Sequence, residues 1–70
     1  MIRKITIGVD LLKAMHYVVG QNVLDKTYEI DTIRYEGLDV VIYIRREDRI
    51  VKWKSFNSNV PITIEYNIDF

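Results

Sequence analysis

The sequence predicts a small single α+β domain over residues 1–70, in which one amphipathic helix packs on one face of a curved antiparallel sheet. Apolar residues make up 49% of the chain, whereas there are 3 Gly and 1 Pro, a composition typical of a compact protein. Runs of alternating apolar and polar residues predict strands, and one run with helical spacing predicts a helix. The predicted element order is β-α-β-β-β-β.

The stretch 38–56 has the best-defined predicted register. Two alternating runs flank Glu47 and Asp48, which form the turn either alone or within a four-residue loop over 46–49. A shift by one residue would set apolar side chains against Arg or Lys, so the pattern selects one register. The predicted opposite pairs are Val40 with Ser55, Ile42 with Trp53, and Ile44 with Val51.

The amino-terminal half predicts a strand followed by the helix. Residues 2–7 alternate as a strand, and Gly8 ends it. Asp10 is a suitable N-cap for a helix over 11–19, and Gly20 is placed to end that helix in the left-handed conformation. The helix would bury the stripe Leu11, Leu12, Met15, Val18 and Val19, and would expose Lys13, His16 and Tyr17.

Two further strands complete the predicted sheet. Residues 27–36 form one, and a three-residue loop over 35–37 with Gly37 in the left-handed conformation joins it to the next strand. Residues 62–70 form the last strand, which is the most regular amphipathic run in the chain. The loop prediction pairs Thr32 with Val40, Ile30 with Ile42, and Tyr28 with Ile44.

Composition excludes several classes of site. The chain has no Cys, which rules out disulfides, thiolate nucleophiles and Cys-ligated metals. His16 is its only histidine, the three glycines are isolated, and Ser55 and Ser58 are predicted to lie away from His16. We therefore predict a non-enzyme with no cofactor and no metal. No apolar run reaches membrane-spanning length, so we predict a cytoplasmic protein without a membrane partner.

The outer face of the predicted sheet is the main candidate for a binding site. One short helix covers one face, and the other face would then expose apolar side chains among basic ones, as interfaces do. The alternatives are that a terminal segment covers this face, or that the two faces of strand 49–56 are interchanged. The candidate partner-binding residues are Ile33, Val41, Tyr43, Arg45, Ile50, Lys52, Lys54 and Phe56.

These observations favour a small protein-binding module, either an inhibitor or an accessory factor. Its composition also suits an A+T-rich genome, so a phage or mobile element is a candidate source, and a host protein is a candidate partner. A homodimer is also predicted, through either the outer face or the edge of strand 62–70.

The alternative function is nucleic-acid binding by the hairpin around 45–54. That hairpin carries Arg45, Arg46, Arg49, Lys52 and Lys54. The 10 basic and 10 acidic residues balance, so no net field attracts a polyanion.

Overall fold

The described part of the protein is all-β and contains seven strands. The structure is a computed structural model and describes residues 1–8, 10, 12–24 and 27–67, among which no helix occurs. Two antiparallel sheets form, a three-stranded sheet of order β2-β1-β7 and a four-stranded sheet of order β3-β4-β5-β6. The strands are β1 (Ile2–Ile7), β2 (Met15–Val18), β3 (Asn22–Val23), β4 (Tyr28–Glu36), β5 (Asp39–Arg46), β6 (Arg49–Asn57) and β7 (Ile62–Tyr66).

A tight turn around Gly20 joins the two sheets at one corner. The Gln21 N–H donates to the Val18 carbonyl over 2.9 Å, and Gly20 lies at a φ of 92°, as the third position of a type II turn requires. The Gly20 N–H then donates to the Ile30 carbonyl of β4 over 2.8 Å. β6 and β7 are the strands farthest from this corner, and no hydrogen-bonded pairing joins them within the described ranges.

The core lies between the two sheets. Tyr17 of β2 is buried there, and its ring centroid lies 5.7 Å from that of Trp53 and 5.8 Å from that of Phe56. These aromatic contacts join the three-stranded sheet to β6 of the other sheet. The other fully packed side chains are Ile2, Ile5, Ile30, Ile33, Val40, Ile42 and Ile44.

The predicted α+β class is wrong, because part of the predicted helix over 11–19 is strand β2. Ile5 of β1 lies opposite Tyr17, which the helix would have exposed and which is 7% exposed here. Pairing with β1 satisfies the backbone groups of β2 that face β1 and buries an aromatic ring, whereas a helix this short has little stability of its own. The first residue of the predicted helix, Leu11, lies outside the described residues.

The predicted helix ends are turns in the structure. Asp10 accepts a hydrogen bond at Oδ1 from the Leu12 N–H over 3.0 Å, so its carboxylate binds a backbone donor in a local turn. Gly20 has the predicted positive φ within the corner turn. Neither residue caps a helix as predicted, and only the positive φ of Gly20 is confirmed.

The predicted β5–β6 hairpin is confirmed at its tip and shifted farther along. Arg46 lies opposite Arg49 across a two-residue turn, and Ile44 lies opposite Val51 as predicted. A β-bulge then makes Trp53 an extra residue in β6, so later pairs move by one position. Those pairs are Ile42 with Lys54, Val41 with Ser55, and Val40 with Phe56.

A second bulge changes the predicted pairing of β4 with β5. The turn between them is the two-residue Gly37 and Leu38, not a three-residue loop, and the register shifts between Ile30 and Thr32. The extra residue, Asp31, reverses the alternation of side chains along β4. Ile30 and Ile33 consequently both reach the core, and Ile33 is 1% exposed.

The strand predicted for residues 2–7 is confirmed, as is the start of the strand predicted for 62–70. Residues 68–70 of the strand predicted over 62–70 lie outside the described residues.

Candidate functional site

The edge strands are the first candidate, because each exposes backbone groups that have no partner in its own sheet. The three-stranded sheet has edges β2 and β7, and the four-stranded sheet has edges β3 and β6. Unprotected edges bind further strands, so proteins usually block them. The four edges differ in how they are blocked.

β7 exposes a regular row of backbone groups. The N–H of Gly8, the residue after β1, donates to the Pro61 carbonyl, and the Asn67 N–H donates to the Met1 carbonyl, each over 2.9 Å. The odd-numbered residues from 61 to 67 therefore direct their backbone groups toward β1. In an antiparallel edge strand, the residues between them direct both backbone groups away from the neighbouring strand. The N–H and C=O groups of Ile62, Ile64 and Tyr66 therefore face outward.

The one charged side chain of β7 is bound within its own sheet. Glu65 accepts a hydrogen bond from the Arg3 guanidinium over 3.0 Å, and the Lys4 ammonium lies 3.7 Å from its other carboxylate oxygen. A bulge on β1 brings both cations to this carboxylate, while the residues of β7 itself follow without interruption. The edge of β7 thus has neither a bulge nor an uncompensated charge in the described part.

The edge of β2 is blocked by a side chain. The Val18 N–H faces away from β1, and it donates to the Oε1 atom of Gln21 over 3.0 Å. The strand itself is four residues long, and β3 is two residues long. β3 is therefore below the usual minimum of about three residues for a strand, whereas β2, with one residue fewer than β7, is blocked by the Gln21 side chain. The sequence predicts only a polar connector over 21–26, because it does not show that the chain turns back toward Val18.

The edge of β6 is blocked by charge and by irregularity. The strand bulges at Trp53, and Lys52 and Lys54 flank this bulge. The Lys54 ammonium lies 4.9 Å from the centroid of the Trp53 ring. Lysine side chains and bulges on an edge both disfavour pairing with another strand.

The outer face of the four-stranded sheet carries a charged network. The Tyr43 hydroxyl donates to the Glu36 carboxylate, which also accepts from the Arg34 guanidinium over 3.0 Å. The guanidinium carbon Cζ of Arg34 lies 4.5 Å from the centroid of the Tyr43 ring. Lys52 lies 3.7 Å from the same carboxylate. The hydrogen bond from Tyr43 and, secondarily, the one from Arg34 lower the pKa of Glu36.

A second ion pair lies farther along this face. Asp31 accepts a hydrogen bond from the Thr32 hydroxyl over 2.6 Å and another from the Arg45 guanidinium over 2.8 Å. These two bonds, the first more than the second, lower the pKa of Asp31, and the Asp31 carboxylate raises the pKa of Arg45. Two of the predicted partner-binding cations, Arg45 and Lys52, are thus held in ion pairs on this face.

The eight predicted partner-binding residues do not form one surface. Ile33 is in the core, and Phe56 packs against the core beside Tyr17. Both side chains face inward because the bulges in β4 and β6 reverse the alternation of side chains along these strands. Val41 faces outward but is 2% exposed, whereas Ile50 is 53% exposed. The residues that the outer face does bring together are Val41, Tyr43, Arg45, Ile50 and Lys52.

The remaining candidate groups lie apart from one another. The Nδ1 atom of His16 lies 3.2 Å from the Thr6 hydroxyl on the surface of the three-stranded sheet. Within the described ranges, no group of three or more His, Asp or Glu residues is arranged to hold a metal ion. The same residues form no helix long and apolar enough to cross a membrane.

The fold and its edges define a two-sheet protein with one open, regular edge strand. Comparison of the chain with protein families, with curated proteins and with solved structures finds no match.

Proposed function

We propose that the protein is a small non-catalytic protein-binding module that takes an extended segment of a partner protein as an added strand on β7. The observation that carries the proposal is the contrast among the four described edges. β7 is regular and its charge is neutralised, whereas β2, β3 and β6 are short, capped or interrupted.

Strand addition explains how so small a surface could hold a partner. Backbone hydrogen bonds to Ile62, Ile64 and Tyr66 would supply affinity, and alternate side chains of the partner would supply specificity. On the inner side the partner would meet Ile62 and Ile64, which pack against the core, and the exposed ring of Tyr66. On the outer side it would meet Thr63 and Glu65.

This surface favours a partner segment that alternates apolar and polar residues. Apolar side chains would extend the inner row, while a hydroxyl or basic side chain would suit the neighbourhood of Glu65. Binding in this mode can inhibit a partner by occupying its strand or recruit it to another molecule, which corresponds to an inhibitor or an accessory factor.

The proposal is tested by removing one outward N–H without removing the core. Tyr66→Pro deletes an outward donor at an exposed edge position, where proline is tolerated. Tyr66→Val is the matched control, because it also removes the aromatic ring but keeps the N–H. Proteins captured from the source cell, or from its host, by the wild type and Tyr66→Val but not by Tyr66→Pro would support strand addition.

Amide hydrogen exchange then locates the contact. The amides of Ile62, Ile64 and Tyr66 should become protected when the captured protein binds, because they would enter a hydrogen-bonded ladder. Equal capture by the two Tyr66 variants, with no new protection in β7, would contradict the proposal.

Nucleic-acid binding by the β5–β6 hairpin is the second candidate. Arg46 and Arg49 lie directly opposite each other at the hairpin tip, a like-charge arrangement that an anion would relieve. Against it, Arg45 and Lys52 hold carboxylates, and Trp53 packs beside Tyr17 rather than forming an exposed stacking surface.

Salt distinguishes the two candidates. Binding to single-stranded nucleic acid would weaken steeply as salt concentration rises. It would also be lost when Arg46 and Arg49 are replaced by Gln, a change that strand addition on β7 should survive.

A further inference from the structure

We infer that β7 accepts the β7 strand of a second copy of this chain, paired antiparallel about Ile64 in a two-fold homodimer. The inference rests on the proposed function, since it names an occupant of the same edge.

The register about Ile64 matches the outward-facing backbone groups. Two-fold antiparallel pairing sets Ile64 opposite Ile64 of the partner subunit and Ile62 opposite the partner's Tyr66. These are the residues whose N–H and C=O groups face away from β1, so each meets a residue that also faces outward. Every exposed backbone group of the strand then has a hydrogen-bonding partner.

The side chains are self-complementary in the same register. Tyr66 is 56% exposed, and the partner's Ile62 would lie directly beside it, so the inner apolar row would run continuously through both molecules. On the outer side Thr63 would lie opposite the partner's Glu65. No like charges oppose each other, and the Glu65 carboxylate is already bound by Arg3 and Lys4.

Two-fold pairing of the other long edge strand, β6, with its own copy would give a poor interface. Pairing β6 with its copy about Trp53 would place the contact at a bulge, where the row of outward backbone groups is interrupted. Lys52 and Lys54 on either side of this bulge also disfavour pairing with another strand. The uninterrupted edge of β7 is therefore the better self-pairing edge.

Two substitutions at Thr63 test the register with opposite signs. Thr63 is exposed and lies opposite Thr6 within its own sheet, so either substitution fits the monomer. Thr63→Glu would face the partner's Glu65 twice in the dimer, and we expect the dimer dissociation constant to rise roughly 2- to 30-fold. Thr63→Lys would face the same carboxylate, and we expect the constant to fall by a similar factor.

The dissociation constants are measured by sedimentation equilibrium over a wide range of protein concentration, at low salt. Thermal melting of each variant at a concentration where it is monomeric checks that the fold is kept. A wild type that stays monomeric at high concentration overturns the inference. A dimer that both substitutions shift in the same direction, or that neither shifts, overturns it as well.

The outcome is distinguishable from failure of the proposed function. A monomeric wild type would refute self-pairing. If the wild type and Tyr66→Val then capture a protein that Tyr66→Pro does not capture, strand addition is supported. A dimer with the opposite Thr63 shifts, together with equal capture by both Tyr66 variants, would support self-pairing and refute a foreign partner at this edge.

Discussion

Replacing Tyr17 by Ala tests the central structural finding, that residues 15–18 are a core strand rather than an exposed turn of helix. In the structure Tyr17 is buried and its ring contacts those of Trp53 and Phe56. Removing a buried aromatic side chain typically costs about 3–5 kcal/mol, a range that includes lost ring contacts and the cavity that remains. A chain of 70 residues has a total stability of roughly 4–10 kcal/mol, so the loss is a large fraction of it.

The expected result is a fall in melting temperature of at least about 12 °C, since each kcal/mol shifts a domain of this size by about 4–8 °C. Urea unfolding followed by the fluorescence of the single Trp, Trp53, gives the change in unfolding free energy directly. Tyr17→Phe is the matched control, because it keeps both ring contacts and should retain most of the stability.

A helix over 11–19 would give a different result. Tyr17 would then lie on its exposed side, and Tyr17→Ala would change the stability by no more than about 0.5 kcal/mol, as surface substitutions usually do. Wild-type-like unfolding of Tyr17→Ala would therefore refute the strand assignment. The far-ultraviolet circular dichroism spectrum of the wild type, which should lack a helical signal, is an independent check.

Three further predictions follow from single contacts. Trp53→Ala should cost about 3 kcal/mol, the lower end of the range for aromatic truncation, because the ring is partly buried against Tyr17; a melting curve like that of the wild type would show that this packing is absent. Gly20→Ala should destabilise by about 1–2 kcal/mol through backbone strain alone, since nothing lies within 4 Å of the added carbon, and Gly20→Asn should cost less; equal stability of all three would exclude the positive φ. The pKa of Asp31 is lower in the folded state, so ionised Asp31 stabilises the fold at neutral pH and this contribution is lost as pH falls from about 4 through the folded pKa. Urea unfolding should show that the unfolding free energy falls less between pH 7 and pH 3 for Asp31→Asn than for the wild type. Equal falls would mean that the hydrogen bonds of Asp31 with Thr32 and Arg45 do not form.

The candidate site was partly visible in the sequence. The regular alternation from residue 62 predicted a strand whose edge was one of two possible self-association surfaces, and β7 lies at a sheet edge. The predicted outer-face residues do not form one surface, because Ile33 lies in the core and Phe56 packs against the core. The Gln21 cap on Val18 depends on the conformation of the turn between them, which the sequence pattern does not show. Arg3 and Glu65 are far apart in the chain and are close only in the folded protein.

The sequence by itself determined the features that depend on near neighbours. It located β1, the turn at Glu47 and Asp48, the pairing of Ile44 with Val51, and the positive φ of Gly20. A turn depends on the conformational freedom of a few adjacent residues, and alternation depends on the period of one strand, so both are written into short segments.

Only the tertiary structure decided the identity of β2 and the three bulges. Residues 15–19 carry apolar side chains at both helical and strand spacing. Pairing with β1 selected the strand because it buries Tyr17 and satisfies the backbone groups of the two strands that face each other. The position of a bulge depends on how side chains from several strands pack in the same core. The alternation along one strand does not show this packing. The added residues Arg3, Asp31 and Trp53 thus set which faces are buried, and that depends on contacts between segments far apart in the chain.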